Sequence, residues 1–133
     1  MNKPFIICLI DDDEVYQFTA TKNIKKQNIA KKILVFSQGE EAIQFLVDNI
    51  CDNENLPDVI FLDLNMPIMD GWQFLEEYVK IKPRICKKIT IYIVTSSVDP
   101  ADLQKAKQIT DVSDYLIKPI TPETFKEVVD EIS

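Results

Sequence analysis

Five short apolar runs punctuate this chain, and between them apolar side chains recur at every third or fourth position. The runs predict strands and the recurring spacing predicts amphipathic helices. Strands are expected at Phe5–Ile10, Lys32–Phe36, Asp58–Leu62, Ile89–Val94 and Asp114–Ile117. The first, third and fourth are apolar almost throughout, as strands covered on both faces should be. Strand and helix in regular alternation predict βα units, hence an α/β fold with a parallel sheet between two helical layers.

Polar punctuation marks the helix starts. Ser37-Gln38-Gly39-Glu40 reads as a capping box ahead of Ala42, Phe45 and Leu46. Asp70 precedes a stretch with Leu75, Tyr78 and Val79 at helical spacing. Asp99-Pro100 and Thr121-Pro122 each place a capping side chain before a proline at the first helical position. The last helix carries Phe125, Val128, Val129 and Ile132 on one stripe, and the first, from about Glu14 to Gln27, shows Val15, Phe18 and Ile24. No linker, repeat or low-complexity segment interrupts the pattern, so residues 1–133 are expected to form a single domain with nothing left for a second.

Composition narrows the chemistry. A net charge of −7 makes nucleic acid a poor direct partner. The basic stretch of Lys22, Lys25, Lys26, Lys31 and Lys32 reads as a solvated helix end and turn. No apolar run reaches the length of a bilayer span and no cleavable leader is evident, so a cytoplasmic protein without membrane partners is expected. The three cysteines, Cys8, Cys51 and Cys86, are odd in number and lack motif spacing; neither a disulfide framework nor a zinc site is expected. Cys8, inside a strand run, reads as a small buried hydrophobe. Histidine is absent altogether, which excludes imidazole-based nucleophilic machinery and most zinc or iron sites.

The chemistry lies at the strand ends. Asp11-Asp12-Asp13-Glu14 follows the first run, Asp63 the third, Thr95-Ser96-Ser97 the fourth and Lys118-Pro119 the fifth. These are the C-terminal strand ends, where open α/β sheets place their ligands. Asp11, Asp12 and Asp63 brought into one crevice would repel each other unless a cation offset their charge. Mg²⁺ suits such a set, because it takes oxygen ligands and retains several waters. Asp63 is then a candidate nucleophile towards phosphorus, with Lys118 offsetting charge and the Thr95 hydroxyl donating to a phosphoryl oxygen. An ionised carboxylate needs no general base, which agrees with the missing histidine. Taken singly, Asp63 would read as a turn residue, Lys118 as an ion-pair partner, and Thr95 or Ser97 as a helix cap. Trp72, Phe74, Met66 and Met69 read as packing.

The chain resembles the response-regulator receiver domains of two-component signalling, of the stand-alone type. The matching pieces are Leu9-Ile10-Asp11-Asp12, the stretch from Pro57 to Gly71 that contains Phe61-Leu62-Asp63-Leu64-Asn65-Met66-Pro67, then Ile93-Val94-Thr95-Ser96, and Tyr115-Leu116-Ile117-Lys118-Pro119. The resemblance covers essentially the whole chain. It implies a flavodoxin-like, doubly wound five-stranded sheet in the order 2-1-3-4-5. It implies Mg²⁺ on Asp11, Asp12, Asp63 and the main-chain carbonyl of Asn65, with Asp63 as phosphoacceptor and Lys118 as its partner. Thr95 and Tyr115 match the switch pair, whose rearrangement is expected to alter the surface of the fourth helix, fifth strand and fifth helix. Asn65 and Ser97 flank the site and are expected to tune phosphoryl lifetime. Asp13 resembles the further acid often found beside the metal-binding pair. The Lys118–Pro119 bond is expected to be cis, and Asp111-Val112-Ser113-Asp114 replaces a small pair common before the last strand.

The implied function is a phosphorylation-dependent switch, supplied by a histidine kinase or histidine phosphotransfer protein and signalling through protein contacts to a downstream target, as a monomer or a phosphorylation-dependent dimer. No enzymatic activity is expected beyond self-catalysed phosphorylation and dephosphorylation of the aspartate. Two rivals share some of these features. An aspartate-nucleophile, Mg²⁺-dependent phosphohydrolase would need an acid two residues past the nucleophile, where Asn65 stands. A receiver-like module that signals without phosphorylation would not need the complete acceptor set. A flavin-binding flavodoxin is disfavoured, since three aspartates after the first strand would repel its phosphate.

Overall fold

The computed structural model describes residues 5–66, 68–96, 99–109, 112–118 and 120–132, with Ile132 described by its backbone alone. Ser97, Asp111 and Pro119 lie outside these residues, and with them the expected roles of the Ser97 side chain, the Asp111 loop and the Lys118–Pro119 bond. The elements run β1 (Phe5–Ile10), α1 (Glu14–Gln27), β2 (Ala30–Phe36), α2 (Gly39–Asp48), β3 (Val59–Asp63), α3 (Gly71–Ile81), a 3₁₀ turn (Lys82–Arg84), β4 (Thr90–Thr95), α4 (Pro100–Lys107), β5 (Val112–Ile117) and α5 (Pro122–Ile132). All strand pairings are parallel, and the sheet order is β2-β1-β3-β4-β5. This is the expected doubly wound α/β arrangement.

Side-chain alternation explains the two layers. From β1, Ile7 and Leu9 turn to the face that packs Ala20 and Ile24 of α1 with Phe125, Val128 and Val129 of α5. Cys8 and Ile10 turn to the opposite face, with Ala42 and Leu46 of α2 and Phe74, Leu75 and Tyr78 of α3. Every residue of β3 is buried. Phe61 stacks near Tyr92 and meets the Phe125 ring edge-on at 5.1 Å, so that burying it contributes on the order of 2–3 kcal/mol. Cys8 is the buried hydrophobe its strand position predicts.

Several local expectations are corrected. β2 begins at Ala30, so Lys31 and Lys32 stand on an edge strand rather than in a turn; exposed lysines there discourage pairing with another chain. Ser37 does not cap α2: the cap position is Gln38, without a side-chain bond, and the Ser37 hydroxyl accepts from Gln17 Nε2 at 3.1 Å. Val15 and Phe18 face solvent, because the side of α1 that meets the sheet is the one bearing Ala20 and Ile24. Val79 is likewise half exposed, while Phe74 takes its place in the α3 stripe. Asp70 forms a full capping box with Gln73, and Asp99 caps α4.

The cysteine reading also changes. Cys51 and Cys86 are joined by a disulfide, with Cα atoms 4.8 Å apart, inside the range a bridge spans. Their loops, after α2 and after α3, abut through the Cys86 N–H donating to the Ile50 carbonyl at 3.0 Å. A sequence separation of 35 residues concealed that neighbourhood.

Candidate functional site

Strand register converts the sequence order of the polar strand ends into one crevice. Ile10 lies beside Leu62, Asp63 beside Val94 and Thr95 beside Ile117. The residues that follow each strand therefore share the same edge of the sheet. Carboxylate oxygens of Asp11, Asp12 and Asp63 lie within 4.8 Å of one another. Asp11 and Asp63 are buried, whereas Asp12 is exposed.

The groups around these acids fix their geometry. Asp11 Oδ1 accepts the Asp13 N–H at 2.9 Å, and its main chain is held by Phe36 O and by the Gln17 side chain. Asp13 itself caps α1, accepting from the N–H groups of Val15 and Tyr16 at 3.0 and 3.2 Å. Lys118 Nζ reaches Asp11 Oδ2 at 2.7 Å and Asp63 Oδ1 at 3.9 Å. Its backbone N–H donates to Thr95 O at 2.8 Å. Thr95 is fully buried, and Asn65 Nδ2 lies 3.5 Å from its hydroxyl. Tyr115 lies beside Ile93 and packs, partly buried, against the cluster on the side of α2 and α3. Burial, then the charges of Asp102 and Asp99, raise its phenol.

The acids are crowded enough to shift their titration. Burial pushes the Asp63 carboxyl up to about 6, and the Asp11 charge adds to this; Lys118 and the Asn65 N–H pull the other way. Asp11 is also raised, chiefly by burial, against the hydrogen bond from Lys118 and that of the Asp13 N–H. One ammonium thus does not offset the negative charge collected here. Asp11 Oδ2 is buried, and among the described residues its partner is the Lys118 ammonium. An oxygen-only donor set with excess negative charge fits a hard divalent cation. The acidic triad is able to bind one.

The loop from β3 to α3 carries the remaining oxygen candidate, the Asn65 carbonyl. Gly71 closes this loop through its N–H to Leu64 O at 3.0 Å. Ile68 holds a left-handed backbone with φ of 69° and is 70% exposed. A β-branched residue is strained in that region. Ile68→Asn is expected to relieve the strain and raise the melting temperature by about 3 °C; an unchanged or lower value in a thermal melt would refute this.

Sequence reasoning missed Tyr16 and Gln17. Both lie on α1 and reach back over the end of β1, Gln17 to Asp11 O and Ser37, and Tyr16 beneath Lys118 with its ring centroid 4.4 Å from Nζ. The Tyr16 hydroxyl is buried with no hydrogen-bond partner among the described residues. Burial and the charges of Asp11 and Asp63 raise its titration well above the usual phenol range. The only advance signal was their position just after an acidic strand end.

Comparison with known proteins gives a consistent result. The family model described as the response regulator receiver domain matches residues 7–130. The probable methanogenesis regulatory protein FilR2 of Methanothrix harundinacea is 30% identical over 129 residues, spanning 97% of this chain and 81% of that protein. A two component response regulator from Cytophaga hutchinsonii superimposes with a TM-score of 0.86 at 26% identity, covering 98% of each chain. The Mn(2+)-bound form of response regulator Rcp1 superimposes with a TM-score of 0.74 at 28% identity, covering 96% of this chain and 91% of that one. In several other curated relatives the match spans under half of a longer protein, and two of these are described as histidine kinases. No helix among the described residues is long and apolar enough to cross a membrane.

Proposed function

This chain belongs to the response-regulator receiver domains of two-component signalling, and from that premise we propose that Asp63 accepts a phosphoryl group from a partner's phosphohistidine. The observation that carries the reading is the convergence of Asp11, Asp12 and Asp63 with Lys118 at the ends of β1, β3 and β5. An Asp63 carboxylate oxygen attacks phosphorus while the P–N bond to the donor imidazole breaks, its electron pair leaving with the ring. The nucleophile gives up no proton. Asp11, Asp12, Asp63 and the Asn65 carbonyl would hold Mg²⁺, and the bound ion offsets charge on the transferring group. Lys118 offsets more of it, and Thr95 donates its hydroxyl to a phosphoryl oxygen. Asn65 and Ser97 tune how long the acyl phosphate lasts.

The domain acts as a signalling module rather than a turnover enzyme. Against the phosphohydrolase alternative stands Asn65, whose amide points to Thr95 rather than supplying an acid. Movement of Thr95 and Tyr115 changes the surface of α4, β5 and α5, and the signal leaves by protein contact. A histidine kinase or phosphotransfer protein is the donor. The test is intact mass after incubation with acetyl phosphate and Mg²⁺. One added phosphoryl group is expected on the wild type and none on Asp63→Asn; an equal adduct on both would sink the assignment.

A further inference from the structure

We propose that Tyr16 is a positioning residue for Lys118, its ring face holding the ammonium over the acidic crevice between Asp11 and Asp63. Lys118 ends a long side chain with four rotatable bonds, and its two carboxylate neighbours stand at unequal distances, 2.7 and 3.9 Å. Those two contacts alone would leave the ammonium drawn to Asp11. The Tyr16 ring adds a third contact from the side of α1, with its centroid 4.4 Å from Nζ, well inside the range in which an aromatic face attracts a cation.

The hydroxyl points to the same conclusion. A tyrosine hydroxyl that is buried normally finds a hydrogen-bond partner, yet that of the partly buried Tyr16 has none among the described residues. What the site uses is therefore the ring face. The α1 cap holds that face in place, since the Tyr16 N–H itself donates to Asp13. An ammonium fixed before the reaction does not have to reorganise when negative charge arrives on Asp63. The inference deepens the phosphoacceptor reading and rests on it for its kinetic consequence, though the cation–ring contact stands independently.

Two measurements on the full chain separate these. In the first, phosphorylation by acetyl phosphate with Mg²⁺ is timed by intact mass for the wild type, Tyr16→Phe and Tyr16→Leu, each shown to be folded by its thermal melt. Tyr16→Phe keeps the face and is expected within about twofold of wild type, while Tyr16→Leu is expected to be slower by about three- to tenfold. In the second, the Lys118 ε-methylene protons are observed by NMR without phosphodonor. A ring-current upfield shift is expected in the wild type and Tyr16→Phe and is lost in Tyr16→Leu. Equal slowing of Tyr16→Phe and Tyr16→Leu would assign the role to the hydroxyl and overturn the proposal, as would a wild-type Lys118 without the upfield shift. An upfield-shifted Lys118 in a wild type that forms no adduct would leave the positioning contact standing and remove the acceptor assignment instead.

Discussion

Asp63→Asn is expected to melt higher than the wild type at about pH 7.5 in the absence of divalent cations, although it removes the proposed nucleophile. Asp63 is 5% exposed and its folded-state carboxyl sits at about 6 against an ordinary 3.8. A carboxyl raised on folding is bound to its proton more tightly in the folded state than in the unfolded one. Below about pH 4 both states are protonated and the group contributes nothing; between about 4 and 6 the unfolded state ionises first and stability falls; above about 6 the penalty is complete. A shift of roughly two units corresponds to about 3 kcal/mol, an upper value because Asp11 titrates with it and the two share the effect. The gain for Asp63→Asn at neutral pH is therefore on the order of 1–3 kcal/mol, or roughly 3–10 °C for a chain of this size. Below about pH 4 the two proteins are expected to melt together. Mg²⁺ should raise the wild type at neutral pH and Asp63→Asn much less. Thermal melts across pH, with chelator or Mg²⁺, provide the check; an Asp63→Asn protein less stable than wild type at neutral pH without cation would show that crowding of the acids is not what strains the site.

Gly71→Ala is expected to damage both fold and phosphorylation. An added Cβ would stand 2.7 Å from Asp63 O and 2.9 Å from Leu64 Cα. Both are backbone atoms, so no side chain can swing aside; either α3 withdraws or the end of β3 moves. Overpacking of this sort costs about 1–3 kcal/mol and sometimes more, and here the upper end applies because the obstruction is main chain. The displaced segment runs from Asp63 to Asn65, the acceptor and the carbonyl proposed for the cation, so adduct formation is expected to fall at least about tenfold, given how steeply rates depend on near-ångström placement. Denaturant unfolding and timed intact mass would measure the two effects. A Gly71→Ala protein with wild-type stability would mean that the close approach of α3 to β3 is not rigid.

Much of the site was legible because a parallel sheet turns sequence into position. All five strands point the same way, so the residue after each apolar run falls on one edge, and Asp11, Asp63 and Lys118 could be brought together without knowing a distance. What escaped was contact made by side chains reaching across elements. Tyr16 and Gln17 sit on a helix in which two large apolar residues, Val15 and Phe18, face water while Ile24 is buried, so its periodicity misdirects. The Ser37 hydroxyl was available to two partners, a cap or Gln17, and local pattern cannot choose between them. Ile68 gave no sign of its left-handed backbone, since glycine or asparagine is the usual marker. β2 began earlier than expected because an edge strand tolerates lysines that a buried strand would not.

The bond between Cys51 and Cys86 makes a covalent ring of everything from the start of the loop after α2 to the loop before β4. Asp63, Asn65 and Gly71 all lie inside it. A single proteolytic nick within the ring detaches nothing, and two nicks release only what lies between them. In a non-reducing digest the ring's two ends therefore travel as one cross-linked fragment, and only reductant frees them as separate peptides.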